Sequence, residues 1–287
     1  ELPERRMAKN NDCVGCHMPQ NSSIDIPHVA VTDHYIRRRP YDDSTHGKIR
    51  AFLGMRSFNN DHVDAITTAR AFMEFYERYN PNTGLLDSAL YYINKQADVE
   101  AKEKQNRNYI RVYFLMQDFA KVIQYAAALR PERMNDAWTA YRIGESYFQS
   151  GQPGDALPWY KRATEIKKYA LDFQNKYGIC LLALGRYPEA QVVYQFIISE
   201  NPDYTIANTN LGFLHMQQGN SVMAYDLLSR AQMLDPDNEQ MLINLAVWHH
   251  AQMQYDKAKR LLLHLLKKHP ENEQAKAMLA DLSNYEL

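Results

Sequence analysis

The amino-acid sequence predicts an all-α protein in which a short N-terminal segment precedes a solenoid of paired helices. Small residues recur every 34 positions in the second half of the chain, at Gly144, Gly178, Gly212 and Ala246. Apolar residues at helical spacing occupy the stretches between them, and Gly and Pro are few, at 11 and 12 of 287 residues. A repeat of this length is typical of helix pairs that stack on one another.

Length and composition indicate a folded protein with room for more than one unit. Of the 287 residues, 45% are hydrophobic and 23% are charged, which is typical of globular chains. The formal net charge of −1 argues against a nucleic-acid partner. No apolar run reaches the ~20 residues of a membrane-spanning helix, and three cysteines are too few for a disulfide framework. We expect a functional segment at 1–50, a helical linker or degenerate repeat at 51–102, and a solenoid with a C-terminal capping helix at 103–287.

The repeats share features beyond their length. A second small residue recurs at the same spacing, at Ala156, Ala190, Ala224 and Ala258. Small residues let the two helices of a pair approach closely, and a proline after the second helix ends it. The four units over 137–272 resemble the tetratricopeptide repeat (TPR), which implies a solenoid that binds a peptide or protein in its groove. A shortened repeat is expected before them around 119–131, a capping helix at 273–282, and amphipathic helices at 61–79 and 85–97.

The repeat register assigns a set of mostly apolar or neutral residues to that groove. They are Tyr141, Glu145, Phe148, Asn175, Ile179, Thr209, Phe213, Val247 and His250. Because the set has no cluster of Lys and Arg, a peptide C-terminus is not the expected ligand. Two occupants stay open: a partner peptide or protein, and the N-terminal segment of this chain.

A second pattern lies near the start of the chain, where residues 13–17 read Cys-Val-Gly-Cys-His. This is the attachment motif of c-type haem. The thiols of Cys13 and Cys16 can bond the two vinyl groups of one porphyrin, and His17 then lies under the iron as proximal ligand. The alternatives are a zinc site completed by His28 and His34, a thioredoxin-like pair, and a chance motif. The motif favours one covalent haem c, and hence a periplasmic or extracellular (cell-surface) location.

The residues after this motif resemble a known group of cytochromes. The runs Cys-His-Met-Pro (16–19), Asp-Ile-Pro-His-Val (25–29) and Thr-Asp-His-Tyr-Ile-Arg-Arg (32–38) are similar to the closing haem segment of multihaem cytochromes c related to cytochrome c554. Several of those proteins carry C-terminal TPR repeats. The resemblance covers about residues 5–40, and the TPR half in architecture. This chain has one haem motif where those proteins have several, which indicates that upstream motifs are missing from it or were lost. The resemblance implies a redox partner protein or other haem subunits in a larger complex.

Two histidines are candidates for the second axial ligand of the iron. Met18 directly follows His17 and cannot reach the opposite face of the haem. His34 is the favoured ligand and His28 the second choice, each far enough along the chain to pass around the porphyrin edge. A bis-His iron is low-spin and six-coordinate, and Asp33 could orient a ligating imidazole. Either histidine could instead be structural or serve a neighbouring haem.

Three functional hypotheses follow from these features. The favoured one is an electron-transfer cytochrome without enzymatic activity, which the TPR half docks to a partner. The second is a haem enzyme with an open sixth site on the iron, or a fragment of a catalytic multihaem protein. The third is a TPR scaffold without haem. No Ser–His–Asp set, phosphate-binding loop or suggestive carboxylate pair supports another chemistry.

Overall fold

The computed structural model describes residues 20–22, 30–32, 55, 63–95 and 102–283. The chain divides into two compact units, Glu1–Arg56 and Ser57–Leu287. The described residues of the first unit form two short antiparallel strands, β1 Gln20–Ser22 and β2 Ala30–Thr32, with Asn21 opposite Val31. These strands were not predicted by the all-α sequence interpretation.

The second unit is helical throughout its described residues, as the all-α prediction requires. Its thirteen α-helices are α1 Ala65–Arg78, α2 Thr83–Lys95, α3 Lys102–Leu115, α4 Phe119–Ala126, α5 Ala137–Gln149, α6 Pro153–Ile166, α7 Leu171–Ala183, α8 Tyr187–Glu200, α9 Thr205–Gln217, α10 Ser221–Leu234, α11 Glu239–Ala251, α12 Tyr255–Lys268 and α13 Glu273–Ser283, with a 3-10 turn Pro131–Arg133 before α5. Consecutive helices pack against each other. The short connections make them antiparallel neighbours. The shortened repeat (α3 and α4) and the capping helix α13 are both present. None of the helices described is long and apolar enough to cross a membrane.

Close approach of the two helices in a pair depends on the recurring small residues. A Cβ on Gly178 would lie 2.8 Å from the ring of Tyr194, and a Cβ on Gly212 would lie 2.8 Å from Leu228. Both partners are fully buried. Since real Cβ atoms do not come so close to a packed side chain, these helix pairs need glycine at the crossing point, as the sequence pattern predicted.

In the five helix pairs from α3 to α12, the turn inside the pair uses one residue in the left-handed region. In three repeats it is glycine, with φ of 75° at Gly151, 70° at Gly185 and 75° at Gly219. Met253 (φ 57°) and Gln117 (φ 59°) occupy the corresponding positions in the last repeat and in the shortened one. A left-handed residue with a side chain costs ~1–2 kcal/mol. The packing of the helices therefore fixes this turn even where the sequence does not favour it.

The core runs along the unit between the first and second helices of the pairs. One position of the second helix is fully buried in every repeat, as Tyr160, Tyr194, Leu228 and Leu262. At the C-terminal end, Ala275 and Leu282 of α13 join the cluster of the last repeat. This helix covers the apolar surface of the last repeat, as a capping helix does.

Candidate functional site

The odd-numbered helices α1, α3, α5, α7, α9 and α11 line the two clefts described below, and we call the surface they form the first-helix face. One position of these helices is polar in five successive pairs, at a spacing of 34 residues: Asn108, Arg142, Lys176, Asn210 and Asn244. The predicted groove residues lie on the same helices, at neighbouring positions. The face is therefore mixed in character, with polar groups beside apolar ones.

A cleft of about 620 Å³ lies between α7, α9 and α11, and we call it the apolar cleft. Its apolar walls are Ile179, Leu182, Ile206 and Phe213, and its polar walls are Thr209, Asn210, Asn238, Glu239, Gln240 and Asn244. Three predicted groove residues, Ile179, Thr209 and Phe213, meet here. Its volume lies within the range of cavities that hold small ligands or one or two side chains of a partner.

Two amides of the apolar cleft are held in place by neighbours. Asn210 donates from Nδ2 to Oη of Tyr194 at 2.9 Å, and Asn244 accepts at Oδ1 from Nε2 of Gln240 at 2.9 Å. Among the described residues, no hydrogen bond engages the other end of either amide. The cleft therefore offers a carbonyl acceptor on Asn210 and an amino donor on Asn244, the two groups that a peptide backbone requires.

Beside the apolar cleft, α5 and α7 contribute a cluster of three aromatic rings. Tyr141, a predicted groove residue, stacks on Phe173 with 5.0 Å between ring centroids, and Trp138 meets Phe173 edge-on at 4.9 Å. Burial raises the pKa of Tyr141 to about 12. Trp138 stays 48% exposed, so it presents a large ring at the surface of the face.

Glu145, predicted as a groove residue, belongs to a buried network instead. Its carboxylate accepts hydrogen bonds from Tyr160 Oη at 2.6 Å, Gln149 Nε2 at 2.7 Å and Lys176 Nζ at 2.9 Å. Burial raises the pKa of Glu145, but the bonds outweigh it and hold that pKa below the ordinary value. The carboxylate is thus satisfied within the protein, and a ligand would gain little from it.

Some of the other predicted groove residues are packed inside the solenoid, and others are exposed to solvent. Phe148 contacts the ring of Tyr160, and His250 contacts that of Tyr255. Val247 is 38% exposed. Asn175 is buried, and its Oδ1 has no hydrogen-bond partner among the described residues. Repeat register therefore identified the correct helices but did not separate accessible side chains from packed ones.

The structure also reveals a basic cleft that the sequence prediction missed. It has a volume of about 690 Å³, lies between α1, α3 and α5, and we call it the arginine cleft. Its lining residues are Arg70, Glu74, Glu77, Arg78, Arg107, Asn108, Arg111, Asp136, Trp138, Thr139 and Arg142. The first predicted groove residue was Tyr141, and no groove residue was assigned to the helices before it. A usable signal existed, since Arg107 and Arg111 precede Tyr141 and Glu145 by one repeat length.

The predicted haem residues Cys13, Cys16, His17, His28 and His34 lie outside the described residues, so their roles stay predictions. Within the described ranges there is no group of three or more His, Cys, Asp or Glu side chains that could hold a metal ion.

The third cysteine, Cys180, is buried as predicted. Its Sγ donates to the carbonyl oxygen of Pro153 at 3.2 Å. Burial raises its pKa to about 11. It therefore remains a protonated thiol that fills space in the core, and it is a poor nucleophile.

Comparisons with known proteins concern the repeats. Two family models described as tetratricopeptide repeat match residues 139–169 and 218–282. Superkiller complex protein 3 of Homo sapiens is 29% identical over 115 residues, which are 39% of this chain and 7% of that protein. The chain thus corresponds to a small fraction of that relative's length.

Solved structures of TPR-like architecture resemble the chain at low sequence identity. Pseudomonas aeruginosa PilF has a TM-score of 0.55 at 12% identity, covering 74% of this chain and 97% of that one. A MamA fragment from Desulfovibrio magneticus has a TM-score of 0.52 at 15% identity, covering 61% and 99%. Such similarities establish the fold alone. The chain therefore contains tetratricopeptide repeats in a helical solenoid, while the resemblance to multihaem cytochromes c stays a prediction from the sequence.

Proposed function

We propose that this chain is a protein-interaction module, with no catalytic role, that binds an extended segment of a partner protein along the first-helix face. The observation that carries the proposal is the apolar cleft, in which Ile206 and Phe213 stand beside the oriented amides of Asn210 and Asn244. An apolar side chain of the partner fills the cleft. A backbone N–H of the partner donates to the side-chain carbonyl of Asn210, and a backbone carbonyl of the partner accepts from the amino group of Asn244.

The chemistry of the cleft favours an extended peptide as the occupant. An extended segment has backbone N–H and C=O groups that are not paired in secondary structure, and the side-chain amides of Asn210 and Asn244 can pair with them. Burial of one leucine-sized side chain contributes ~1.5–3 kcal/mol. Because this gain is modest, specificity depends on several contacts along the face rather than on this cleft alone.

A selection experiment with a matched pair of variants tests the proposal. The full chain is immobilised and used to select from a phage library of random twelve-residue peptides. We expect the recovered peptides to share an apolar residue, and to lose at least about tenfold in affinity, or 1.4 kcal/mol, when Ile206 is replaced by Asp. Ile206 is 41% exposed and occupies the second position of α9.

The control for this experiment is Val222→Asp. Val222 is 75% exposed, occupies the second position of α10 and does not line the apolar cleft. Both substitutions place a charge on a β-branched position in the first turn of a helix, so they perturb folding in the same way. Equal binding by the two variants, or recovery of peptides with no apolar residue in common, would show that the apolar cleft is not the binding site.

We also propose, from the motif at residues 13–17, that the chain carries one covalent haem c outside the cytoplasm and serves electron transfer. Cys13 and Cys16 would hold the porphyrin, and His17 with His34 or His28 would bind the iron, which supplies a one-electron centre. The intact mass and the reduced-minus-oxidised spectrum of the chain, produced in the periplasm, test this. A mass increase of one haem with low-spin bands is expected; an unmodified mass would remove this proposal and leave the interaction module.

A further inference from the structure

The arginine cleft has an excess of positive charge in a chain that is nearly neutral. Five arginines line it against three carboxylates, whereas the whole chain has a formal net charge of −1. Two of the carboxylates already have a partner within the helix that they cap or belong to. Asp136 caps α5 by accepting from the backbone N–H of Thr139 at 2.9 Å, and Glu74 pairs with Arg78 at 3.2 Å within α1.

A single carboxylate, Glu77, pairs with two partly buried guanidinium groups. It contacts Arg111, and it contacts Arg142 at 3.5 Å. The side chain of Arg142 is only 13% exposed. Burial and the neighbouring charge of Arg111 lower the pKa of Arg142, against the opposing effect of Glu77. The Nε of Arg111 is buried and has no hydrogen-bond partner among the described residues.

The remaining two arginines are held by neutral amides. Arg70 donates from Nε to Oδ1 of Asn108 at 3.1 Å, and Arg107 donates from Nη2 to Oδ1 of Asn135 at 2.7 Å. In the described part of the chain, neither forms an ion pair. Their guanidinium groups are thus oriented but not neutralised, which is how a site for planar carboxylates is built.

We propose that the arginine cleft binds acidic side chains of the partner segment, and that Arg70 and Arg107 make the contacts. This inference rests on the proposed function, since it assigns a second contact to the same segment. The two clefts lie on the same first-helix face but on different helices, α1, α3 and α5 for the arginine cleft and α7, α9 and α11 for the apolar cleft. Trp138 of α5 lines the arginine cleft on the side nearer the apolar one. The partner is therefore a segment with glutamates or aspartates at one end and an apolar residue at the other.

The helix order sets the spacing of these two features. Arg107 lies on α3 and the apolar cleft centres on α9, three first helices further along. At about 8–10 Å between packed helices, the separation is ~27 Å, which an extended chain covers in about eight residues at ~3.3 Å each. Acidic residues about eight positions from an apolar residue would match Arg107 and the apolar cleft.

A peptide pair of equal length tests the charge contact on the full chain. Binding of fluorescein-labelled hexaglutamate and hexaglutamine is measured by anisotropy at low salt. We expect hexaglutamate to bind at least about tenfold tighter, and to weaken as salt rises, since exposed charges are screened. Arg70→Gln with Arg107→Gln should reduce the affinity at least about tenfold, whereas Lys at both positions should retain only part of it, because the charge remains but the planar guanidinium that matches a carboxylate is lost.

The control removes two arginines elsewhere on the solenoid. Arg186 and Arg230 pair with Glu189 and Asp203 and line neither cleft. Their replacement by Gln should leave hexaglutamate binding unchanged. An equal loss in both double variants, equal affinity for the two peptides, or tighter binding of an oligothymidylate at the same arginines would overturn the inference.

The two proposals fail in different ways. Loss of the hexaglutamate contact, with peptide binding still sensitive to Ile206→Asp, would overturn the acidic partner and keep the interaction module. An intact hexaglutamate contact, with no effect of Ile206→Asp, would overturn the apolar contact instead.

Discussion

The hydroxyl of Tyr160 should stabilise the solenoid more than the hydroxyl of Tyr194, although the two residues occupy the same repeat position. Both side chains are fully buried. Tyr160 Oη donates to the Glu145 carboxylate at 2.6 Å, whereas Tyr194 Oη accepts from the neutral Asn210 amide at 2.9 Å. Replacement of either Tyr by Phe removes only the hydroxyl, so the ring packing is preserved in both.

The magnitudes follow from the partner of each hydroxyl. A hydrogen bond to a charged group contributes ~1.5–3 kcal/mol, and one between neutral groups ~0.5–1.5 kcal/mol. Glu145 is only 7% exposed, so water replaces the lost donor poorly. Asn210 is half-buried and can recover a bond to water. We expect Tyr160→Phe to lower the free energy of unfolding by ~1 kcal/mol more than Tyr194→Phe.

Urea denaturation of both variants at neutral pH, followed by far-UV circular dichroism, measures this difference. The transitions need a nearest-neighbour treatment because repeats unfold with partial independence. The dependence on urea should be the same in both variants, since the buried surface is unchanged. Equal losses, or a larger loss in Tyr194→Phe, would refute the assignment of a charge-assisted network around Glu145.

Three further predictions concern the same unit. In urea titrations at several pH values, the stability advantage of the wild type over Glu145→Gln should be full above the ordinary glutamate pKa of 4.5 and vanish as pH falls through the lower folded value; a pH-independent difference would contradict it. Met253→Gly should raise the free energy of unfolding by ~0.5–1 kcal/mol, because glycine removes the cost of a left-handed conformation with a side chain, and this gain exceeds the extra conformational entropy of glycine in the unfolded chain. Its control, Gly185→Ala, should lower the free energy of unfolding in the same urea assay. Gly178→Val should cost ~1–3 kcal/mol in thermal unfolding, because its Cβ position lies 2.8 Å from the Tyr194 ring; an unchanged midpoint would show that the helices separate freely.

The helical pairs were predictable because their signal is local and repeated. Gly178 and Gly212 were identified as contact positions from spacing alone, and both lie against a buried side chain of the second helix. The left-handed turn was equally regular at Gly151, Gly185 and Gly219. Its presence at Met253 was not predictable, since methionine has no preference for that conformation.

The residues that line the two clefts were predictable only in part. Register placed Ile179, Thr209 and Phe213 correctly, and all three line the apolar cleft. It also assigned Glu145 to the groove, although the Glu145 carboxylate is already hydrogen-bonded by Tyr160 and its neighbours. A repeat pattern shows which face of a helix a residue occupies, but it does not show which side chain from another helix pairs with it.

The sequence by itself determined the stacked helix pairs, since a 34-residue period of small and apolar residues has few other physical solutions. It also contains the motif Cys13 to His17, from which a covalent haem is predicted on residue type and spacing alone. Only the tertiary structure decided where charge accumulates on the first-helix face. Arg70, Arg107 and Arg142 come from three helices up to 72 residues apart, and whether such charges are neutralised depends on partners that packing brings together.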